Sequence, residues 1–444
     1  MSQYRAYPAY KDSGIEWIGQ VPEHWKIAQI KRISALNPRK STLSEEKDSL
    51  CTFLPMEKLR TNAVTLDETR PIHEVYGGYS YFCDGDILIA KVTPCFENGN
   101  IAIANGLVNG IGFGSTEINV LRVNGKGHNR FLYYRLQEEQ FRTIAKSEMR
   151  GTGGLKRVPT DLFESFTIGL PDTDEQATIA ATLDRETARI DALIEKKNRF
   201  VELLKEKRQG LITHAVTKGL DRNAKMKDSG IEWIGQVPEH WEATKLKHVA
   251  AFSGGGTPSK ENPDYWNGCI PWVSPKDMKH EVITDSIDHI TTKGLENSAT
   301  KLIDSGAVLL VARSGILRHT IPVGINNVPV SLNQDMKALS LDETRVRPRF
   351  ILRWVQGLNR SLLGIWAKEG ATVESLEHEY VANTRLPLPD LKEQDAILAT
   401  LDLETARIDA LISKSEQSII LLKERRAAFI TAAVTGQIDL RGKQ

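Results

Sequence analysis

The sequence has few cysteines and no long apolar segment, and each absence argues against a class of protein. The four cysteines, Cys51, Cys83, Cys95 and Cys269, are scattered along the chain and form no C-x-x-C pair. This pattern disfavours both a disulfide framework and a zinc site, and it fits a protein of the reducing cytoplasm. No apolar run approaches the ~20 residues that a membrane helix requires. The first residues have no apolar core, so we expect no signal peptide.

The sequence also lacks an excess of charge of either sign. It contains 58 basic and 57 acidic residues, which gives a formal net charge of +1 and a pI of about 7.7. A domain that binds DNA on its own is usually strongly basic, with a pI above ~9. The balance therefore argues against a lone DNA-binding domain, or indicates that partner proteins supply much of the contact with phosphates.

Motifs of common enzyme classes are missing as well. The chain contains no G-x-x-x-x-G-K-[ST], H-E-x-x-H or G-x-S-x-G sequence, which argues against ATP hydrolysis and other motif-based catalysis on this chain. Residues 262–265 (NPDY) resemble the N-P-P-Y motif of adenine methyltransferases, but Asp replaces the second Pro, so we interpret them as a turn. Residues 389–392 (PDLK) resemble a nuclease P-D motif, and we interpret them as the start of a helix.

A duplication is the main positive feature. Residues 11–25 and 227–241 are the same fifteen residues, KDSGIEWIGQVPEHW, and residues 186–194 and 404–412 both read ETARIDALI. A chain of 444 residues exceeds one ordinary core and predicts two to four domains. We therefore interpret the chain as two related halves, in which the segments between the repeats diverge.

Each half ends in a long predicted helix, over residues 174–216 and 392–434. Both helices follow a leader, LPDTDEQ or LPDLKEQ, whose acidic residues favour the start of a helix. Apolar residues recur at heptad spacing and predict a coiled coil. The predicted helix-packing residues are Leu183, Ile190, Leu204, Leu211, Leu401, Ile408, Leu422 and Phe429. A flanking row is predicted to widen the buried stripe: Leu193, Ile194, Phe200, Val201, Leu411, Ile412, Ile419 and Ile430.

Two compact α/β blocks with curved sheets are predicted between the repeated segments. Residues 86–92, 118–123 and 307–313 are predicted as strands, and residues 130–146 and 349–366 as helices.

Tryptophan and histidine recur in the duplicated segments. His24 and His240 could be ligands or bases, but duplicated frame residues are more often structural. The tryptophans are therefore predicted to be packing residues at the helix ends: Trp17, Trp25, Trp233 and Trp241.

Polar and basic residues in loops of the two blocks are the candidates for binding DNA. Arg can bind guanine through two hydrogen bonds, and both Arg and Lys contact phosphates. Taken singly, each of these side chains is more often a solvated surface charge. The candidates in the first block are Lys58, Arg60, Lys91, Arg150, Lys156 and Arg157. Those in the second block are Thr257, Ser259, Lys260, Ser274, Lys276, Arg313, Arg318 and His319.

Three motifs resemble the specificity subunit of type I restriction–modification enzymes. They are the duplicated K-D-S-G-I-E-W-I-G-x-V-P-E-H-W, the L-P-x-x-x-x-E-Q leaders and T-L-D-x-E-T-A-R-I-D-A-L-I. The resemblance covers nearly the whole chain. Residues 254–278 (GGGTPSKENPDYWNGCIPWVSPKDM) are similar to a recurrent opening of its target recognition domains, and the first block lacks this opening. Residues 151–154 and 370–372 resemble the family's G-T-type loop.

The resemblance implies an α+β protein with two α/β target recognition domains. Two long helices, forming an antiparallel coiled coil, would separate them in a pseudo-twofold, circular repeat. The implied segments are an N-terminal conserved element (1–25), target recognition domain 1 (26–170), a central conserved region with a long helix (171–241), target recognition domain 2 (242–388) and a C-terminal conserved helix (389–444).

The resemblance also implies a function. Each recognition domain would read one half of a bipartite double-stranded DNA target, and the helices would set the spacer. The chain itself would be non-catalytic and would bind no metal or cofactor. S-adenosylmethionine, ATP and Mg²⁺ would be bound by partners, which are two modification (methyltransferase) subunits and restriction (translocase/nuclease) subunits. The alternatives are an enzyme with unrecognised motifs, and a coiled-coil scaffold or DNA-binding module without a restriction role.

Overall fold

The chain folds into two compact units that share two long helices. The structure, a computed structural model, describes residues 4–43, 46, 48–152, 154–368 and 373–442. Unit 1 comprises Met1–Lys197 and Gln417–Gln444, and unit 2 comprises Asn198–Glu416. The first long helix is Thr173–Lys218 and the second is Leu391–Val434. Both lie within two residues of the predicted bounds, and each unit contains one end of each helix.

Local capping explains where the long helices begin and end. The side chains of Asp172 and Asp390 each accept a hydrogen bond from the backbone N–H three residues later, at 2.9 and 2.8 Å. Gly219 and Gly436 follow the helix ends with φ of +72° and +78°, a conformation that glycine adopts without steric cost. The leaders and the terminal glycines thus define both helices.

The long helices pack antiparallel in unit 1. Leu183 shares a core with Phe429, and farther along the first helix Asp191 pairs with Arg426 at 2.9 Å. Because one helix advances in sequence while the other retreats, the two run in opposite directions.

The same arrangement recurs in unit 2, where Ile212 shares a core with Leu401 and Arg208 pairs with Asp409 at 2.9 Å. The structure buries six of the eight predicted helix-packing residues: Leu183, Ile190, Leu204, Leu401, Ile408 and Phe429. Leu211 and Leu422 are half-buried. The predicted antiparallel pairing is therefore confirmed within each unit.

The predicted flanking row is only partly correct. Val201, Ile419 and Ile430 are buried, whereas the prediction is wrong for Leu193, Phe200 and Leu411, which are 42%, 45% and 45% exposed. A two-helix coiled coil buries a narrow seam, so a wider apolar stripe extends beyond the partner helix.

Within its described residues, unit 1 contains two four-stranded sheets. The first is antiparallel throughout and has the strand order Ile101–Ile103, Ile87–Ala90, Ile118–Val123, Ser34–Leu36. The second has the order Thr69–Pro71, Leu50–Leu54, Ile111–Gly114, Ser80–Cys83, and its two central strands are parallel. Paired short strands are Tyr10–Asp12 with Gln20–Pro22, Lys26–Gln29 with Thr167–Leu170, Leu59–Arg60 with Ala63–Val64, and Arg150–Thr152 with Leu155–Arg157. The predicted strands at 86–92 and 118–123 are confirmed.

Unit 2 has a different pair of sheets in the part that the structure describes. The five-stranded sheet has the order Ala250–Gly254, Met336–Leu341, Val308–Val311, Val323–Asn326, Val282–Ile283. The three-stranded sheet has the order Asp288–Ile290, Trp266–Val273, Ser331–Leu332. Paired short strands are Met226–Asp228 with Gln236–Pro238, and Glu242–Lys245 with Arg385–Leu388. The strand predicted at 307–313 is confirmed as Val308–Val311.

Each predicted short helix is interrupted. In place of one helix over 130–146, unit 1 has Asn129–Arg135 and Glu139–Ser147. Glu138 causes the break, because its side chain caps the second helix and forms a buried ion pair with Arg135 at 2.5 Å. In unit 2 the helix predicted at 349–366 is Pro348–Gly357 followed by Asn359–Trp366.

The remaining short helices are Ile72–Val75, Thr160–Ser165, Thr292–Glu296 and His378–Asn383. No helix in the described residues is long and apolar enough to cross a membrane.

The duplicated segments form matching joints at the starts of the long helices. Trp25 donates its Nε1–H to Glu175 at 3.2 Å, and Trp241 donates to Glu393 at 3.0 Å. Trp25 and Trp241 are 0% and 1% exposed, so their predicted packing role is confirmed. Trp233 is half-buried against the core. For Trp17, which is 45% exposed, the prediction is wrong.

The described N-terminal and C-terminal segments meet in unit 1. The backbone N–H of Asp439 donates to the carbonyl of Arg5 at 2.7 Å, and the hydroxyl of Tyr10 donates to the carbonyl of Gly436 at 3.1 Å. In unit 2 the corresponding connection is one continuous chain, from the end of the first long helix into Met226–Asp228. The circular repeat therefore has two equivalent joints. In unit 2 the chain is continuous through the joint, which is the closed joint. In unit 1 hydrogen bonds join the N-terminal and C-terminal segments, and this is the open joint.

Candidate DNA interface

In unit 1, four of the predicted basic residues lie around one exposed hairpin. The strands Arg150–Thr152 and Leu155–Arg157 pair antiparallel, and the glycine at 151 has a φ of +141°. Its backbone approaches Leu155 so closely that a Cβ atom would clash with the Leu155 carbonyl. Of the predicted G-T loops, Gly153 and residues 370–372 lie outside the described residues.

Lys91 and Thr93 join this hairpin to the first sheet. The N–H of Val158 donates to the carbonyl of Lys91 at 2.8 Å, and the N–H of Thr93 donates to the carbonyl of Lys156 at 2.9 Å. Lys91, Arg150, Lys156 and Arg157 therefore lie close together around the hairpin.

Arg157 is constrained by a carboxylate. Its Nε and Nη2 both donate to Glu117, at 2.9 and 2.7 Å. This hydrogen bonding raises the pKa of Arg157 and lowers the pKa of Glu117. By contrast, the side chain of Arg150 is 76% exposed, and its contact with Glu148 is long, at 3.9 Å. Arg150 and Lys156 are thus the more accessible charges of the hairpin.

Lys58 and Arg60 lie on a separate turn of unit 1. Lys58 donates to Asp67 at 2.6 Å and to Glu68 at 3.3 Å, and the hydrogen bond with Asp67 raises the pKa of Lys58. Arg60 is exposed and donates to the carbonyl of Leu59 at 3.1 Å. Local acids compensate the charge of Lys58, which leaves Arg60 as the stronger candidate of the two for a phosphate contact.

In unit 2, the glycine-rich opening of the block is shaped by close packing. A Cβ atom on Gly255 would overlap the carbonyls of Leu332 and Asn333, and one on Gly256 would lie 2.7 Å from the backbone nitrogen of Thr300. Glycine is therefore required at both positions. The tight contact holds Thr257 against Gln334, to which its hydroxyl donates a hydrogen bond.

This loop forms one wall of a cavity of about 690 Å³. The ring of Trp272 meets that of Trp266 edge-on, with centroids 5.1 Å apart, and its Nε1–H donates to the carbonyl of Gly256 at 2.9 Å. The cavity is lined by Thr257, Lys260, Trp266, Trp272, Ser274, Pro275, Lys276, Asp288, Asn333, Gln334 and Asp335. Four of the predicted second-block residues, Thr257, Lys260, Ser274 and Lys276, are among them.

The predicted hydroxyl residues differ in their roles. Ser274 is buried, and both its N–H and its hydroxyl are bound to Asp277, at 2.8 and 2.9 Å. Its hydrogen-bonding groups thus stabilise the cavity wall. Ser259 is exposed and accepts a hydrogen bond from the Trp266 ring through its carbonyl at 3.0 Å.

The remaining second-block candidates lie after the strand Val308–Val311. Arg313 donates from Nε to Asp335 at 2.6 Å, and Arg318 donates from Nε to Glu374 at 3.2 Å. His319 is exposed and lines a different depression of unit 2, together with Arg318. The structure therefore links Arg313, through Asp335, to the 690 Å³ cavity, whereas Arg318 and His319 belong to the neighbouring depression.

Sequence reasoning missed the amides and rings of this cavity. Asn333 and Gln334 follow the strand Ser331–Leu332 and face the opening loop, while Trp266 and Trp272 lie on the longest strand of the unit. A usable signal was present, because these amides form a polar turn between two apolar strands, and binding residues are frequently placed on such loops.

Two motifs considered for catalysis have structural explanations. Residues 262–265 form a turn in which the Asn262 side chain accepts from the Asp264 N–H at 3.1 Å. His24 bonds to Glu175 at 2.7 Å and His240 to Glu393 at 2.8 Å. The turn interpretation and the structural role of the histidines are consistent with these contacts.

Comparison with known proteins gives a consistent picture. The family model for the type I restriction modification DNA specificity domain matches residues 22–203 and 238–419. The specificity subunit of the type I restriction enzyme EcoR124I/EcoR124II of Escherichia coli is 31% identical over 225 residues, covering 50% of this chain and 48% of that protein. The putative MjaX specificity subunit of Methanocaldococcus jannaschii is 22% identical, covering 96% of both chains. The chain spans about half or less of the length of the first E. coli relatives that it matches.

Solved structures share the fold. A chain from work on complex assembly and conformational transition of the type I R-M system has a TM-score of 0.76 at 18% identity, covering 94% of this chain and 99% of that one. The HsdS subunit from Thermoanaerobacter tengcongensis has a TM-score of 0.58 at 18% identity, covering 94% and 98%. At this identity the similarity concerns the fold alone.

Proposed function

Since the chain belongs to the family of type I restriction modification DNA specificity domains, we propose that it is the DNA specificity subunit of a type I restriction–modification complex. Each unit carries one match to the family model along most of its length. Each unit would read one half of a bipartite DNA target, so that two separate base sequences together define the target site.

The observation that carries this proposal is an identical frame around different surfaces. The Trp–Glu joints of both units have the same residues and the same hydrogen bond from the Trp Nε1–H to the Glu carboxylate. The surfaces of the two blocks differ, because unit 1 presents a basic hairpin and unit 2 presents a cavity with two tryptophans and two amides. Such a pair is suited to reading two different base sequences.

The long helices would set the length of the unspecified spacer. They contain 46 and 44 residues, which corresponds to about 65–70 Å at 1.5 Å per residue. Half-sites on one face of DNA lie about 34–36 Å apart. Stiff helices of this length are suited to holding two recognition elements at a constant separation.

Catalysis would reside on partner subunits. Methyltransferase subunits would bring S-adenosylmethionine, and restriction subunits would use ATP and Mg²⁺. The nearly neutral net charge of +1 fits this division, because partners would share the contacts with phosphates.

The helices offer a surface for two copies of the same partner. Leu193 in unit 1 and Leu411 in unit 2 occupy the same position of the repeated ETARIDALI and are 42% and 45% exposed. A patch of several exposed apolar side chains is typical of a binding face. The helices also expose Phe200, Leu203, Leu403, Ile420 and Leu421.

Replacing both leucines by glutamate (Leu193→Glu and Leu411→Glu) is expected to abolish co-purification with methyltransferase subunits, and each single replacement should remove one copy. Native mass spectrometry of the reconstituted complex measures the stoichiometry. Leu302→Glu, at a residue 47% exposed in unit 2, is the matched control. Retention of two copies by the double variant would contradict the proposed face.

The test of the whole proposal is an exchange of the first block. Residues 26–170 are replaced by the block of another family member, and the methylated sites of a host genome are mapped at base resolution with the partner subunits present. One half of the target should change and the other half should stay. An unchanged target would favour the coiled-coil scaffold, and methyl transfer by the isolated chain would favour an enzyme.

A further inference from the structure

Arg313 and Asp335 form a short, well-defined pair at the end of a buried strand. Arg313 comes two residues after Val308–Val311. Its backbone N–H donates to the carbonyl of Asp335 at 3.1 Å, and its Nε–H donates to the carboxylate of the same residue at 2.6 Å. One residue therefore holds both the backbone and the side chain of Arg313.

Asp335 is itself held in place. Its N–H donates to the side chain of Asn333 at 2.9 Å, and its carbonyl also accepts from Ala312 at 2.7 Å. Its side chain is 23% exposed, whereas that of Arg313 is 53% exposed. The less exposed carboxylate holds one edge of the guanidinium, so the other edge points away from the turn.

The outer edge of this guanidinium is available. Within the described residues, neither Nη atom of Arg313 makes a hydrogen bond, since the contact with Asp335 is through Nε. The predicted Arg157 in unit 1 behaves differently, because it uses both Nε and Nη2 on Glu117. Several predicted arginines contact a carboxylate. Among the contacts that leave both Nη groups unused, that of Arg313 is the shortest.

The pair adjoins the proposed DNA-reading cavity. Asp335 lines the cavity together with Asn333, Gln334 and Thr257. Consecutive residues of one turn therefore contribute two amides to the cavity and a carboxylate to Arg313.

The chemistry of such a pair suits a base better than a phosphate. A neighbouring carboxylate offsets the charge of the arginine and so weakens its attraction to phosphates. It also reduces the conformations that the side chain must lose on binding. Two parallel N–H groups match the O6 and N7 acceptors of guanine in the major groove, the commonest specific contact of arginine.

We propose that Arg313 reads a guanine in the half-site bound by unit 2, with Asp335 as its positioning residue. The inference rests on the proposed function, because it requires unit 2 to face DNA. It goes beyond that function by assigning one base pair to one side chain.

The test uses the full chain in complex with its modification subunits. Methylation rates are measured on duplexes in which each position of the mapped target is varied in turn. Arg313→Ala and Arg313→Lys should both reduce discrimination at one G·C position of the unit 2 half-site on the order of 10- to 100-fold. Every other position should keep its preference. The unit 2 half-site is identified as the one that the exchange of residues 26–170 leaves unchanged.

The role of Asp335 is tested by base discrimination, which a purely structural role would not change at one position alone. Asp335→Ala should weaken discrimination at the same G·C position and should add nothing in the Arg313→Ala background. Asp335→Asn keeps an acceptor oxygen and should restore part of the preference. Arg349→Ala removes an exposed arginine that pairs with Asp402 on the second long helix, and it should leave all positions unchanged.

The outcomes separate this inference from the proposed function. A wild-type complex that methylates no defined bipartite site contradicts the proposed function. A defined site that Arg313→Ala leaves unchanged, or a unit 2 half-site without a G·C pair, overturns the inference alone. An equal loss at every position in both Arg313 variants also overturns it, because it would indicate phosphate contact or misfolding.

Discussion

Glu175 and Glu393 occupy the same position of the repeat but differ in their surroundings. Glu175 is 4% exposed in its side chain and also accepts a hydrogen bond from the hydroxyl of Tyr7 at 2.7 Å. Glu393 is 26% exposed. Burial, with the neighbouring Glu175 carboxylate, raises the pKa of Tyr7, so that its hydroxyl remains a donor. The open joint between the chain ends thus depends on a buried carboxylate.

Glu175→Ala is expected to destabilise the protein more than Glu393→Ala. Loss of the carboxylate at 175 leaves the buried Tyr7 hydroxyl and Trp25 Nε1–H without an acceptor, at a cost of about 1–3 kcal/mol. At position 393, water can replace the lost acceptor. Calorimetric melting of the isolated chain compares the two variants, with Glu175→Gln as the control that retains an acceptor. Equal melting temperatures for the two Ala variants would contradict this view of the joint.

The cysteines should differ sharply in reactivity. Cys51 is buried, and its burial raises the pKa of its thiol to about 11. Because the thiolate is the reactive form, Cys51 should resist alkylation at pH 8. Cys269 is exposed and should react quickly. Mass spectrometry of iodoacetamide-treated protein reads both sites. Cys51 should be labelled only in denaturant, and labelling of Cys51 at the rate of Cys269 in native protein would refute this.

Among the elements, the long helices were the easiest to predict and the short helices the hardest. Heptad periodicity and capping residues are local signals. The helix predicted over residues 174–216 therefore agrees closely with the observed helix Thr173–Lys218. The break at Glu138 depends on a buried ion pair with Arg135, which helix periodicity does not reveal. The same limit applies to the candidate site, because Thr257 and Gln334 meet only when the loop packs on the sheet.

Shortening both long helices is expected to shorten the spacer of the target. Deletion of one heptad from the middle of each helix keeps the apolar seam in phase. It removes about 10 Å of helix. Both half-sites should remain readable with fewer base pairs between them, and methylation mapping measures this spacing. A change in the half-site sequences themselves would rule out a ruler function for the helices.

On the scale of the whole molecule, the open joint allows the order of the chain to be changed. Asp439 and Arg5 are already hydrogen-bonded at 2.7 Å. Joining the termini by a short linker, and opening the chain between Gly219 and Met226, should therefore give a protein with the same fold. Circular dichroism and methylation mapping test the permuted chain, which should retain the wild-type target. Failure of this permutant to fold, while the linear chain folds, would contradict the circular repeat.

The matched Trp25–Glu175 and Trp241–Glu393 contacts have a consequence for how new specificities arise. A block moved from one position to the other would meet the same tryptophan and the same glutamate, so this contact does not restrict which block either position accepts. A repertoire of n interchangeable blocks then encodes n × n ordered targets on one frame. Genetic exchange within the identical segments would therefore create new DNA specificities without changes in the rest of the protein.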